Sequence, residues 1–177
     1  MDALPIIKLY GAEGCRKTNY YKLLLDKTEL PYQFLDVEKN EDDAEELRGL
    51  YENRKLNFPT ITIGKKKLRN PYKEDLEKWL NKLIPSRLNI VHDKEKMRFT
   101  IAINGEIAKI DYTLENENMY LNHSEVPYNL RGQGIGKVLV EKTFEQLTKE
   151  GFKAISICSY IIAIASRSEK WKDVISY

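Results

Sequence analysis

The chain has 177 residues, of which 42% are hydrophobic and 32% are charged, and its formal net charge is +2. This composition is typical of an ordinary globular protein with one large or two small domains, and the near balance of charge gives no support for binding to nucleic acid. No apolar run reaches the roughly 18 residues of a membrane span, and the first residues lack the basic character of a signal peptide, so we expect a cytoplasmic protein.

The first half of the chain predicts strands and helices in alternation, followed by a hairpin and a last helix. Alternating apolar residues indicate strands, and apolar residues at helical spacing indicate helices. Acidic residues in the first turn favour a helix start near residue 42. The predicted order is β-α-β-α-β-β-α, at residues 5–11, 15–28, 32–38, 42–54, 60–64, 65–70 and 72–83.

The stretch IPSRLN, residues 84–89, interrupts this periodicity and is interpreted as a linker. It predicts one domain at residues 1–84 and a second at 85–177. Both domains combine helices and strands, so the predicted fold class is mixed α/β.

The second half predicts an antiparallel sheet followed by a helix, a strand and a terminal helix. Asn104-Gly105 separates two alternating runs within residues 97–114, and Asn-Gly in this setting is a strong hairpin signal. We expect three or four antiparallel strands before the helix. The later elements are predicted as a strand at 119–127, a helix at 136–151, a strand at 152–158 and a helix at 159–177.

Residues 130–140, LRGQGIGKVLV, contain three glycines just before the helix. Glycine loses the most backbone entropy on folding, so alternate glycines suggest that a ligand approaches the main chain closely. Free N–H groups at a helix start, together with the helix dipole, form an anion site, and a phosphate is the expected ligand. The spacing is G-x-G-x-G, which fits neither the Rossmann fingerprint nor a Walker P-loop.

The pattern Arg131-x-x-Gly134-x-Gly136 between a strand and a helix resembles the acetyl-CoA pyrophosphate loop of the GNAT acetyltransferase superfamily, Gln/Arg-x-x-Gly-x-Gly/Ala. The segment HSEVP before the loop and Cys158 at the end of the next strand narrow the resemblance to the small single-domain GNAT-like group. It covers roughly residues 88–177. The resemblance implies a minimal GNAT fold, acetyl-CoA as cofactor, and transfer of the acetyl group to an amine.

The resemblance also implies how acetyl-CoA is held. Backbone N–H groups at the start of the helix would bind the pyrophosphate, Arg131 would add charge, and the strand YLNHSEV would offer N–H groups to the thioester carbonyl. The implied cofactor-binding residues are Val126, Arg131, Gly132, Gln133, Gly134, Ile135, Gly136 and Lys137.

Four residues are candidates for moving protons in such a reaction. The ordinary pKa of histidine suits proton transfer near neutral pH, so His123 is a candidate, and Glu125 shares its strand face. For each of them the alternative is an ordinary strand or solvated side chain. Cys158 lies where the acetyl group is expected, with an inert buried thiol as the alternative. Tyr160 is the candidate acid for the leaving thiolate by analogy alone.

The first half contains two segments that indicate thiol chemistry, LYGAEGCRKT and NFPT. Cys15 at a helix start, beside Arg16 and Lys17, is expected to have a lowered thiol pKa. These residues resemble the thioredoxin fold and specifically the glutaredoxins, over residues 5–83, with Pro59 in the position of the family's cis-proline. Thr18 replaces a second cysteine, so the resemblance implies monothiol exchange, with glutathione as the candidate external thiol.

Two main functions therefore compete. In the first, the protein is an N-acetyltransferase whose glutaredoxin-like domain serves thiol exchange, regulation or docking. In the second, it is a thiol-disulfide redox protein whose second domain binds CoA without transfer, and a non-catalytic scaffold is the third possibility. The acceptor is a small amine or a protein amine, no metal site is expected from the cysteine and histidine spacing, and the oligomeric state is not readable.

Overall fold

The computed structural model describes residues 4–176. The chain divides into two compact units, Met1–Ile84 and Pro85–Tyr177. The described part of each unit contains its own cluster of buried apolar side chains. The first three of the N-terminal residues used in the localisation prediction, and Tyr177 at the end of the predicted terminal helix, lie outside the described part.

The first unit folds in the predicted order of elements around a four-stranded sheet. Its elements are β1 (Ile7–Gly11), α1 (Arg16–Asp26), β2 (Tyr32–Asp36), α2 (Glu41–Gly49), β3 (Thr60–Ile63), β4 (Lys66–Arg69) and α3 (Lys73–Leu83). The strand order is β2-β1-β3-β4. The pair β1–β2 is parallel, and the other two pairs are antiparallel.

Strand β1 supplies side chains to both faces of this sheet, because successive residues of a strand point to opposite sides. Ile7 and Leu9 are buried in the cluster that contains residues of α1 and α3. Tyr10 is buried in a second cluster, together with Ala44 and Leu47 of α2. The sheet is therefore the middle layer of three.

Helix α2 is shorter than the prediction of residues 42–54. Asn40 caps its start by accepting the N–H of Asp42 at 2.9 Å. The helix ends at Gly49, a residue with low helix propensity, and the next N–H, of Leu50, bonds the carbonyl of Leu47 at 3.1 Å. This tighter pattern is typical of a terminating helix.

The second unit is a six-stranded sheet covered by a long helix. Its elements are β5 (Ile90–Asp93), β6 (Arg98–Ile103), β7 (Glu106–Glu115), β8 (Asn118–Glu125), α4 (Ile135–Lys149), β9 (Lys153–Ser156), α5 (Ser159–Ser166) and β10 (Ile175–Ser176). Strands β5 to β8 are antiparallel, β9 is parallel to β8, and β10 is parallel to β9. The predicted hairpin is confirmed, with Asn104 at φ 50° and Gly105 at φ 82°.

The prediction of a terminal helix through residue 177 is wrong beyond Ser166. Two apolar residues after Ser166, Trp171 and Ile175, are buried by contacts with residues distant in sequence and not by a continued helix. The chain instead turns and buries Trp171, whose ring centre lies 5.5 Å from that of Phe144. It then pairs Ile175 with Ala154 of β9.

A buried polar cluster links the far end of α4 to the sheet. The His92 side chain is only 5% exposed, and its Nδ1 donates to the Glu150 carboxylate at 2.9 Å. Its Nε2 lies 2.8 Å from the Tyr112 hydroxyl. Gln146 and Lys94 donate to the same carboxylate at 2.6 and 3.0 Å.

This cluster predicts a loss of stability in acid. Burial alone would raise the pKa of Glu150, but hydrogen bonds from His92, Gln146 and Lys94 lower that pKa to about 2. A carboxyl with a depressed folded-state pKa stabilises the fold above its unfolded value, and this contribution is lost as pH falls from about 4.5 towards 2. Glu150→Gln is expected to lower the free energy of unfolding at neutral pH by roughly 1–3 kcal/mol. It should also flatten the acid dependence measured by urea unfolding.

The control for this prediction is Glu145→Gln, which removes an exposed carboxylate from the same helix. Its acid dependence should match that of the wild type. Equal acid dependence of Glu150→Gln and the wild type would contradict the role given to the cluster.

Candidate active site

The glycine-rich loop enters α4 through two residues in the left-handed region. Gly132 has φ 76°, and Gly134, the N-cap of α4, has φ 75°. Most side chains strain such a backbone, so glycine is favoured at both positions. A Cβ placed on Gly132 would meet nothing within 4 Å, so this side of the loop is open. Successive N–H groups in such a turn, followed by a helix start, form a concave anion site.

The side chains around the loop are held by main-chain hydrogen bonds. Arg131 donates through Nε to the Val126 carbonyl at 3.0 Å, and its guanidinium lies 5.9 Å from the Tyr128 ring centre. Gln133 donates to the Asn129 carbonyl at 2.8 Å. The guanidinium therefore lies at the rim of the loop, hydrogen-bonded to the chain just before it.

Two of the predicted cofactor-binding residues have side chains turned away from the loop surface or engaged elsewhere. Ile135 is buried in the core, so only its main chain is available to a ligand. Lys137 is exposed on the first turn of α4 and pairs with Glu141 at 3.6 Å.

Strands β8 and β9 separate beside this loop. Asn122 is the extra residue of a bulge in β8, because Leu121 pairs with Tyr112 and His123 with Asp111. The ladder with β9 runs only as far as Leu121, whose carbonyl accepts the N–H groups of Ile157 and Cys158 at 3.1 and 3.4 Å. Beyond that point β8 continues against β7 alone, so among residues 4–176 its other edge has no strand partner.

Cys158 lies at this separation, at the N-cap of α5, and contacts Ser124. The Cys158 Sγ is 3.4 Å from the Ser124 Oγ. Burial raises the pKa of the Cys158 thiol, but hydrogen bonds from Ser124 and from the N–H groups of Ile161 and Tyr160 outweigh it and lower the pKa. Sequence reasoning missed Ser124, because regular alternation from the buried Met119 and Leu121 would place it on the outer face, and only the bulge at Asn122 brings it to the inner face.

Tyr160 lies over the first turn of α4. Its hydroxyl would be 2.6 Å from a Cβ placed on Gly136, whereas Gly136 itself has no positive φ. The third glycine is therefore explained by contact with this tyrosine, which the ligand-based interpretation of the sequence did not foresee. Burial raises the pKa of Tyr160, so its hydroxyl stays protonated at neutral pH.

This contact predicts a specific steric effect. Gly136→Ala is expected to displace the Tyr160 ring and, because that ring is 44% exposed and can move, to destabilise the protein by only about 1 kcal/mol, the low end of the overpacking range. Tyr160→Ala combined with Gly136→Ala should cost less than the sum of the two single changes, because the clash disappears. Urea unfolding of the four proteins measures this coupling, and strict additivity would contradict the contact.

The structure does not bring His123 and Glu125 to the Ser124–Cys158 contact. Both lie on the other face of β8, His123 opposite Asp111 and Glu125 opposite Lys109. Lys109 Nζ is 3.3 Å from Glu125 and 3.2 Å from Asp111, so this face carries a charged network.

In the first unit, Cys15 is the N-cap of α1 and is partly exposed. Hydrogen bonds from the main chain and the hydroxyl of Thr18 lower the pKa of its thiol, and the charge of Lys17 adds to the effect. Thr18 is fully buried and also accepts the N–H of Ala12 at 3.2 Å. The Phe58–Pro59 peptide bond is cis, as the resemblance implies.

The described residues contain neither a candidate metal cluster nor a helix that could span a membrane. Between residues 4 and 176, no three His, Cys, Asp or Glu side chains are grouped so that they could hold a metal ion. Over the same range, no helix has the length and apolar character needed to cross a membrane.

Comparison with known proteins matches the second unit to one family. The model of the GCN5-related N-acetyl-transferase family matches residues 98–174. Protein NATD1 of Danio rerio is 35% identical over 81 residues, which are 44% of this chain and 74% of that protein. Protein NATD1 of Homo sapiens is 32% identical over 77 residues, 42% of this chain and 68% of that protein.

Two solved structures are also similar to parts of the chain. A glutaredoxin from Archaeoglobus fulgidus has 16% identity and a TM-score of 0.37, and the match covers 45% of this chain and 86% of that one. A GCN5-like protein from Staphylococcus aureus has 27% identity and a TM-score of 0.40, over 50% of this chain and 87% of that one. On the family match and the NATD1 relatives, the chain belongs to the GCN5-related N-acetyltransferase family.

Proposed function

We propose that the second unit transfers the acetyl group of acetyl-CoA to an amine. The observation that carries this proposal is the loop with two left-handed glycines, which opens α4 next to the separation of β8 and β9. Membership of the family implies an amine acceptor. The pyrophosphate would lie on the N–H groups of residues 133–136, with Arg131 at the rim.

The residues at the separation of β8 and β9 are suited to polarise the thioester of acetyl-CoA. Acetyl-CoA supplies an activated acetyl group, and the unpaired edge of β8 beyond Leu121 would donate N–H groups to its carbonyl oxygen. The Cys158 thiolate, favoured by Ser124, would take the proton that the attacking amine must lose. Tyr160 would donate a proton to the sulfur as the carbon–sulfur bond breaks.

His123 and Glu125 are the alternative bases. They would serve an acceptor that approaches from the charged face of β8, where Lys109 and Asp111 also lie. A His123→Ala variant therefore belongs beside the Cys158 variant in any kinetic test.

The test is release of CoA thiol from acetyl-CoA in the presence of a panel of primary amines and lysine-containing peptides. Cys158→Ala is expected to lower kcat by about 10²-fold and to remove the rise of rate with pH that reflects thiol ionisation. Cys15→Ala, which removes the other thiol, is the matched control and should retain transfer. Binding of acetyl-CoA without release for any amine would favour a CoA-binding redox protein instead.

A second candidate function for the first unit is thiol exchange at Cys15. The lowered pKa of this thiol, due to Thr18, is the observation that favours it. The Cys15 thiolate would attack a disulfide such as oxidised glutathione, form a mixed disulfide and release one glutathione thiolate. The alternative is a fold retained for docking or regulation.

The Thr18 contact makes this candidate testable. In a Cys158→Ala background Cys15 is the only thiol, so the ultraviolet absorbance of the thiolate reports its titration. Thr18→Val should raise the Cys15 pKa and slow its reaction with oxidised glutathione at neutral pH. An unchanged titration would remove the case for an activated thiol.

A further inference from the structure

The first unit contains a cleft between α1 and the segment 70–73. Its volume is about 690 Å³, within the range of small-molecule sites. The buried Tyr21 holds the two walls together, since its hydroxyl donates to the Pro71 carbonyl at 2.7 Å. The cleft is therefore formed before any ligand arrives, and it is larger than a single phosphate ion needs.

The charge of the cleft is of one sign. Arg16, Lys17 and Lys73 line it, and no aspartate or glutamate is among the lining residues. None of these three cations has an ion-pair partner among residues 4–176, whereas many other surface lysines and arginines do. Three unpaired cations around one cavity favour a ligand with more than one negative charge.

The cleft also presents aromatic surface. The sequence places Tyr20 and Tyr21 side by side, but only Tyr21 is buried, and Tyr20 is 46% exposed. Tyr72, on the other wall, is 81% exposed. Exposed rings beside cations are the combination on which nucleotide bases stack while the phosphates are neutralised.

We propose that this cleft binds a nucleoside diphosphate, with its phosphates on Arg16, Lys17 and Lys73 and its base on Tyr20 or Tyr72. Glutathione fits the lining less well, because its ammonium group would find no carboxylate there. The shared chemistry of the ligand is a base that carries phosphates, which either a free nucleotide or the nucleotide end of coenzyme A provides, and ADP is the probe.

The test is calorimetric titration of the full chain carrying Gly134→Glu, so that the loop before α4 cannot bind the same ligands. ADP is expected to bind with a dissociation constant in the micromolar range, below about 1 mM. Lys73→Glu should weaken ADP binding by about tenfold, and Tyr72→Ala by about fivefold. Lys78→Glu, an exposed lysine on the same helix outside the cleft, is the control of equal charge and should have no effect.

Titrations with further ligands separate the contributions of the base and of the phosphates to binding. Adenosine and inorganic phosphate should each bind far more weakly than ADP, and coenzyme A binding tighter than ADP would identify coenzyme A as the source. An acidic residue at the first position of α3 suits the helix dipole, so Lys73→Glu should fold, as circular dichroism can verify. No saturable ADP binding, ADP affinity unaffected by Lys73→Glu, or tighter binding of glutathione in the same cleft would each overturn the proposal.

Discussion

Gly134→Glu is expected to weaken acetyl-CoA binding by at least about 100-fold, because it places a carboxylate where the pyrophosphate would lie. The φ of 75° at this position adds strain to any side chain. The start of α4, whose N–H groups would form the proposed anion site, would also be displaced. Calorimetric titration of the wild type and the variant with acetyl-CoA measures the effect directly.

The matched control is Gly151→Glu. Gly151 also has a left-handed φ, 85°, and lies just beyond the other end of the same helix. It therefore shares the strain and the added charge but is far along α4 from the loop. Equal loss of binding in both variants would mean that the loop is not the phosphate site, and no binding even in the wild type would remove the transferase proposal.

Phe144→Ala is expected to lower the free energy of unfolding of the second unit by about 3–5 kcal/mol. The Phe144 side chain is fully buried in α4, and its ring contacts that of Trp171 in the turn after α5. The cavity left by the substitution would also loosen this turn. Urea unfolding followed by Trp171 fluorescence, in a Trp79→Phe background, reports on this unit.

A conservative control accompanies this prediction. Phe144→Leu keeps most of the apolar volume and should cost less than about 1.5 kcal/mol. If the alanine variant cost no more than the leucine variant, the packing of the C-terminal turn against α4 would have to be revised.

Much of the fold could be predicted because local signals agreed with it. The alternation of apolar residues in β1, and Asn104-Gly105 between β6 and β7, each predict a structure that their immediate surroundings also favour. The prediction of a terminal helix was wrong because no local signal indicates the contacts that determine the end of the chain. Trp171 and Ile175 are positioned by Phe144 and by β9, residues distant in sequence, which helical periodicity alone does not reveal.

The candidate site was predictable in its main chain and much less so in its side chains. The glycines indicated an unusual backbone conformation in the loop, because few other residues adopt left-handed φ values readily. The Ser124–Cys158 contact depends on a bulge at Asn122 and on where β9 leaves β8, and no local pattern signals either. The same bulge leaves Ser124 on the inner face and His123 and Glu125 on the outer face.

The contact between Gly136 and the Tyr160 hydroxyl has a consequence for how such proteins diverge. A mutation that adds a side chain at position 136 would require the Tyr160 ring to shift, and the loss of that ring would remove this requirement. Relatives with alanine at the first position should therefore carry a smaller residue at the second. Residues at the two positions are expected to change together in evolution, although the positions are 24 apart in the sequence.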